Sequence, residues 1–246
     1  DDFFRMRFAL SPPQAEAFDF GHLDRDIPSI LGFLEHGIRT GAPGAHVLLH
    51  GPPGTGKTSL ARELARRLQA ELLEVRKDIS LGYGSDSDGV ERLRSFNLGQ
   101  RLGSGGNRCI VLFDELEDLF PRLEFGAVRS KAHKGWVCEA LERARMPTIW
   151  TSNSVSGIDP AILRRFSFML EVDGPPLSAR RRLLDRVLAG TAVGEPWCER
   201  VARLDCLTPA MTMEIARLAA SLSLCRPELE AALDRWLEQR LKAMHR

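Results

Sequence analysis

Apolar and polar positions follow two different rhythms along this chain, and the change between them falls near residue 176. Before that point short, continuous apolar runs recur: His46–His50 (HVLLH), Leu72–Val75, Cys109–Phe113 (CIVLF), Thr148–Thr151 and Phe168–Val172. Runs this short, bounded by Gly, Pro or polar residues, predict strands buried on both faces. Between them, leucines three or four residues apart predict helices over Leu60, Leu64 and Leu68, then Leu93 to Leu102, then Trp136 to Leu141. An earlier helix is predicted from Ile27, Ile30, Leu31 and Leu34, broken by Gly37, Gly41, Pro43 and Gly44, with residues 1–25 as a lead-in. After Pro175-Pro176 the strand pattern stops. Four helical stretches follow, Ser178–Leu188, Pro196–Leu204, Pro209–Leu222 and Pro227–Met244, the last with Leu229, Leu233, Leu237 and Leu241 on one stripe beside Trp236. Alternating strands and helices predict an α/β domain over residues 1–176, a parallel sheet sandwiched by helices, and then a small all-helical domain over 177–246.

Composition narrows this only a little. The 246 residues suffice for one large domain and a small one. With 34 basic and 33 acidic residues the net charge is +1, which offers no electrostatic footprint for nucleic acid or an anionic membrane. Five cysteines, Cys109, Cys138, Cys198, Cys206 and Cys225, show no C-x-x-C spacing. They fit reduced thiols in a cytoplasmic protein better than a disulfide framework. No apolar run reaches membrane-spanning length and no signal-peptide pattern opens the chain. Its first residue is Asp1, so it reads as a domain of something longer.

Two segments carry chemistry. Gly51-Pro52-Pro53-Gly54-Thr55-Gly56-Lys57-Thr58 fits G-x-x-x-x-G-K-[ST] throughout, stands between the HVLLH strand and the next predicted helix, led by Leu60 and Leu64, and with Ser59 is expected to bind the nucleotide. In that setting glycines let backbone N–H groups close around phosphates, and the helix N-terminus adds its positive end. Lys57 is expected to reach the β- and γ-phosphates of ATP and Thr58 to ligate Mg²⁺. A plain Gly/Pro turn would account for the glycines but not for the full pattern in this place. Downstream, the CIVLF strand ends in Asp114-Glu115. Asp114 is expected to hold the magnesium through water, and Glu115 to polarise the attacking water. Glu117 and Asp118 continue the acidic run and read as a solvated helix start.

With these motifs the chain resembles the AAA+ ATPases, in particular the AAA branch proper, over nearly its whole length. The resemblance implies further roles. Thr151-Ser152-Asn153 looks like sensor 1, whose Asn helps orient the water near the γ-phosphate. Ile158 to Phe166 is similar to the arginine-finger segment, with Arg164 and Arg165 matching the paired Arg of the katanin and spastin group. Arg165 either acts as a second finger or does not, and a basic helix end is the bland account of both residues. Phe18-Asp19-Phe20-Gly21-His22 is similar to the segment that packs on adenine, which puts Gly21 at the nucleotide. The helical tail resembles the lid, but Leu207 to Met213 lacks a sensor 2 Arg, and Arg217 is a poor substitute. That absence argues against the clamp-loader branch. Gly82-Tyr83-Gly84 stands where translocating members carry a pore loop, and a glycine-rich surface turn fits it equally well. Arg129, Lys131, His133 and Lys134 fit a second substrate-facing loop or, more commonly, a solvated face.

The resemblance thus implies a Mg²⁺-dependent ATPase that works as a homo-oligomer, a hexameric ring being one such form, and remodels a protein partner. Its alternative is a nucleotide-dependent scaffold or switch with little hydrolysis. Glu115, Asn153 and Arg164 favour the enzyme, because a binding module needs none of them. A nucleic-acid motor is disfavoured by the balanced charge.

Overall fold

The computed structural model describes residues 7–11, 20–77, 88–102, 108–120 and 130–244. Phe18, Asp19, the Gly82-Tyr83-Gly84 loop and Arg129 lie outside the described residues. Contacts divide the chain into two compact units. Of the described residues, one gathers 7–11, Asp24–Pro53 and Lys57–Val172, the other 20–23, Gly54–Gly56 and 173–244.

The first unit is built on a six-stranded sheet. Its strands are β1 (Phe8–Ser11), β2 (His46–His50), β3 (Glu71–Val75), β4 (Cys109–Phe113), β5 (Thr148–Ser152) and β6 (Phe168–Glu171). They lie in the order β1-β3-β4-β5-β2-β6. Only β1 runs antiparallel, against β3; the other pairings are parallel. Every residue of β4 and β5 is buried, as the unbroken apolar runs required. Four helices and a shorter turn connect the strands: α1 (Ile27–Thr40), α2 (Lys57–Arg67), α3 (Asp88–Leu102), α4 (Ser130–Arg143) and α5 (Pro160–Leu163). Successive strand side chains point to opposite faces. Leu48, Leu73, Val111, Phe113 and Trp150 therefore share one face and one apolar cluster with Phe96 of α3 and Val137, Ala140 and Leu141 of α4. Val47, Leu49, Leu72, Ile110, Leu112 and Ile149 take the alternate positions and are also buried, as are Leu60 and Leu64 of α2.

Two local readings need correction. β1 has no counterpart in the predicted elements, because four residues on a sheet edge, with Leu10 exposed, leave no periodic signal. Gly37 does not break α1; the helix runs on to Thr40 and is capped by Gly41 in the left-handed region. Gly37 is small for a packing reason. A Cβ there would come within 2.8 Å of both Ala45 Cβ and Pro147 Cγ.

The second unit is helical over α6 (Leu177–Val187), α7 (Glu195–Ala202), α8 (Pro209–Ser221) and α9 (Arg226–Met244). Leu229, Leu233 and Leu237 of α9 are buried with Trp197, Met211 and Ile215, and Trp236 and Leu241 pack against that cluster. Thr208 caps α8, its hydroxyl accepting from Met211 N–H, with Pro209 in the first turn. All five cysteines are free thiols.

Candidate functional site

Parallel pairing sets β2, β4 and β5 side by side, so three chain segments leave the sheet at neighbouring points: Gly51 after β2, Asp114 after β4 and Asn153 after β5. The first is a glycine by necessity. Gly51 has φ +144°, and a Cβ would lie 2.4 Å from the Val172 carbonyl oxygen. Gly54 and Gly56 also have positive φ. Thr55 is buried, Pro52 and Pro53 are exposed and Ser59 is half-buried in the first turn of α2. Gly21 opens the short 3-10 turn Gly21–Leu23 and is exposed.

Lys57, the first residue of α2, is buried to 7% exposure. Its ammonium donates to the Gly51 carbonyl at 2.7 Å, the Pro52 carbonyl at 2.8 Å and Asn153 Oδ1 at 3.0 Å. Burial holds its pKa below the usual lysine range, opposed by the carboxylates of Glu117, Asp114 and Glu115. Next to it, the Thr58 hydroxyl donates to Asp114 Oδ1 at 3.0 Å. Two of the three segments thus meet α2 through side chains.

Asp114 is the most heavily bonded group here. The Thr151 hydroxyl also donates to Oδ1, at 2.5 Å, and the Lys77 ammonium lies 2.8 Å from Oδ2. Burial would raise the carboxyl's pKa, but the hydrogen bonds from Lys77, Thr151 and Thr58 hold it below the usual carboxylate range. Lys77 also reaches Glu115 Oε1 at 2.9 Å. Its pKa rises because those two carboxylates outweigh its burial. Glu115 adopts φ +61°, one of only two non-glycine residues with positive φ among those described. Its N–H donates to the Thr151 hydroxyl at 2.9 Å, so Thr151 links both acidic residues to β5. A strained backbone at such a point turns the chain sharply out of the sheet.

The strand end is also held from below. Arg92 of α3 is 2% exposed and its guanidinium lies 4.4 Å from the Phe113 ring centroid. It pairs with Asp118 at 2.8 Å and donates to the Asp114 carbonyl. Glu117 departs from the solvated helix start read from sequence. It sits on the 3-10 turn Leu116–Leu119, and its Oε1 accepts from the Asn153 N–H at 2.9 Å.

Lys57, Thr58, Asp114, Glu115 and Asn153 are therefore one bonded group, with Lys77 joined to it. Arg164 and Arg165 at the end of α5 are not in that group. Arg164 is exposed and caps α5. Arg165 pairs with Glu142 and donates to the Ala161 carbonyl. Sequence reasoning missed Lys77, Arg92 and the linking role of Thr151. No motif marks them, since strand order alone brings β3, β4 and β5 together.

The chain's residues 47–173, more than half of it, match the family model described as "ATPase family associated with various cellular activities (AAA)". It belongs to the AAA family of ATPases. Among curated relatives, a replication factor C large subunit of Sulfolobus acidocaldarius is 35% identical over 143 residues, 57% of this chain and 30% of that protein. A proteasome-associated ATPase of Mycobacterium ulcerans is 30% identical over 214 residues, 73% of this chain and 34% of the relative. The chain thus spans about a third of the length of the curated relatives it matches. A chain in the structure of the HORMA:CdnC:Trip13 complex of E. coli MS115-1 superposes with a TM-score of 0.69 at 19% identity, covering 94% of this chain and 95% of the other. That likeness shows the fold. No described helix is long and apolar enough to cross a membrane.

Proposed function

We propose that the module hydrolyses ATP with magnesium in an oligomeric ring and uses the turnover to remodel a protein partner. The observation that carries this is the Lys57–Asn153 and Thr58–Asp114 bonding, which joins three separate motifs in one group. Lys57 now bonds two loop carbonyls; in this reading it exchanges them for phosphate oxygens. The Thr58 hydroxyl and Asp114 carboxylate form an oxygen pair of the kind magnesium takes while keeping part of its water shell. When bound, that ion neutralises charge on the phosphates. Glu115 orients and polarises the attacking water, and Asn153 fixes the water's other side. The Arg164 side chain is exposed, with the Asp159 carboxylate as a charged neighbour, and such exposure suits a group that completes a neighbour's site. Residues 1–176 act as the nucleotide-binding domain and 177–246 as the lid.

Remodelling of a protein is drawn from the relatives named as proteasome-associated ATPases. The scaffold reading retains one observation in its favour: Lys77 bridges Asp114 and Glu115, which ties up both carboxylates that hydrolysis needs.

Turnover by the Glu115→Gln chain decides between the two readings. Gln keeps the shape and loses the base, so ATP binding is expected to persist while hydrolysis drops by about 10²-fold or more. Radiolabelled ATP retention together with phosphate release measures both. Wild-type hydrolysis no faster than that of Glu115→Gln would instead establish the scaffold.

A further inference from the structure

We propose that Glu117 is a positioning residue for hydrolysis: its carboxylate fixes Asn153 and, through Asn153, the ammonium of Lys57. The inference rests on the ATPase reading and adds a residue to it.

The bonds run in series. Glu117 Oε1 accepts from the Asn153 backbone N–H at 2.9 Å, and Asn153 Oδ1 accepts from Lys57 Nζ at 3.0 Å. Asn153 is otherwise exposed, on a polar loop with side-chain bonds among Ser152, Ser154 and Ser156 and with the Ser152 carbonyl accepting from the Gly51 N–H. The anchored N–H fixes the backbone from which the Asn153 side chain reaches Lys57. The anchor itself is rigid. Glu117 lies between Leu116 and Leu119, both fully buried in the cluster beneath β4. The left-handed turn at Glu115 delivers the short helix to that place.

A second feature marks Glu117 as more than a brace. Its Oε2 is buried and has no hydrogen-bond partner among the described residues. Native structures seldom leave a buried carboxylate oxygen unpaired, because its desolvation is not recovered. Where such groups occur they cluster at functional places. Asp118, one residue on, differs: it is exposed and pairs with Arg92. Glu117 also leads the carboxylates that favour the charged form of Lys57 against burial. The carboxylate is thus held one residue away from the Lys57 ammonium, with Asn153 as the link.

The test compares Glu117→Ala, Glu117→Gln, Asn153→Ala and the double Glu117→Ala/Asn153→Ala, with ATP turnover and ADP affinity measured for each. Glu117→Ala is expected to lower kcat about tenfold or more, since small displacements of positioning groups carry large rate penalties. Its affinity for ADP stays within about threefold, the split expected of a group that serves the transition state and not ground-state binding. Glu117→Gln keeps a neutral acceptor of equal reach and recovers at least about half of wild-type kcat. In the Asn153→Ala background, removing Glu117 costs less than about twofold more, because the two act through one contact. Unchanged turnover in Glu117→Ala, Gln as impaired as Ala, loss of ADP binding, or fully multiplicative losses in the double variant each overturn the inference. A wild-type chain that does not hydrolyse ATP defeats the ATPase reading and this inference with it. Wild-type turnover matched by Glu117→Ala defeats the inference alone.

Discussion

His46 is fully buried between two partners that fix its protonation. Nε2–H donates to the Leu141 carbonyl at 2.7 Å, and Nδ1 accepts from the Trp150 indole N–H at 3.2 Å. Burial drives its pKa from 6.5 to about 4, although the bond to Leu141 opposes the shift. The unfolded chain takes up a proton near pH 6.5 and the folded chain does not until about pH 4. Stability from this residue is therefore complete above pH 6.5 and falls as the pH drops toward 4. The loss reaches about 3 kcal/mol at the low end. Urea unfolding between pH 7 and 4 measures it. A His46→Leu chain is expected to be less stable at neutral pH, with the Trp150 and Leu141 groups left unpaired, and to lack this part of the pH slope. Equal slopes in the two chains would show that acid destabilisation arises elsewhere.

Among the elements, α3 is further fastened by one side chain near its end. Gln100 Oε1 accepts from the N–H groups of Arg145 and Met146 at 3.0 and 2.8 Å. Its Nε2 donates to the Met146 carbonyl and the Thr148 hydroxyl at 3.3 and 3.1 Å. Four bonds thus fasten the helix to the segment that enters β5, the strand that leads to Asn153. Gln100→Leu preserves size and removes all four, leaving the Met146 N–H unpaired in a buried place. A destabilisation of about 2–3 kcal/mol is expected, read from the denaturation midpoint. A loss below about 0.5 kcal/mol would mean that the apolar cluster alone holds α3. Nothing in the helical rhythm of Leu93 to Leu102 singles out Gln100, because a polar residue late in a helix reads as solvated until the strand beside it is known.

At the scale of the whole molecule, the proposed role of the outward Arg164 would make activity a property of more than one copy. ATP hydrolysis per chain is expected to rise with protein concentration if a neighbour completes each site. Chains carrying Arg164→Ala and chains carrying Lys57→Ala are each inactive in this reading, yet a mixed interface pairs an intact loop with an intact arginine. Mixing them should recover part of the activity, and proven co-assembly without recovery would place Arg164 outside the neighbour's site. An arginine at the transferring phosphate is worth about 10³-fold or more, so even a small recovered fraction is measurable. Arg165, bonded to Glu142 and Ala161 within its own chain, would have to break those contacts to join it.

What the sequence determined by itself is the chemistry carried by contiguous residues. The Gly51–Thr58 loop needs its glycines and lysine at fixed offsets, and the β4 run ending in Asp114-Glu115 declares both its burial and its exit from the sheet. Short-range periodicity likewise marked five of the six strands and the stripe of α9. The tertiary structure alone decided which distant residues complete those motifs. Lys77 reaches Asp114 because β3 and β4 pair in parallel, Thr151 and Asn153 reach Asp114 and Lys57 because β5 lies between β4 and β2, and Glu117 turns inward because Glu115 takes a left-handed backbone. A side chain's hydrogen-bond partner depends on where other elements bring their ends. Strand order is set by burial summed over the whole sheet, a quantity that no local window of residues contains.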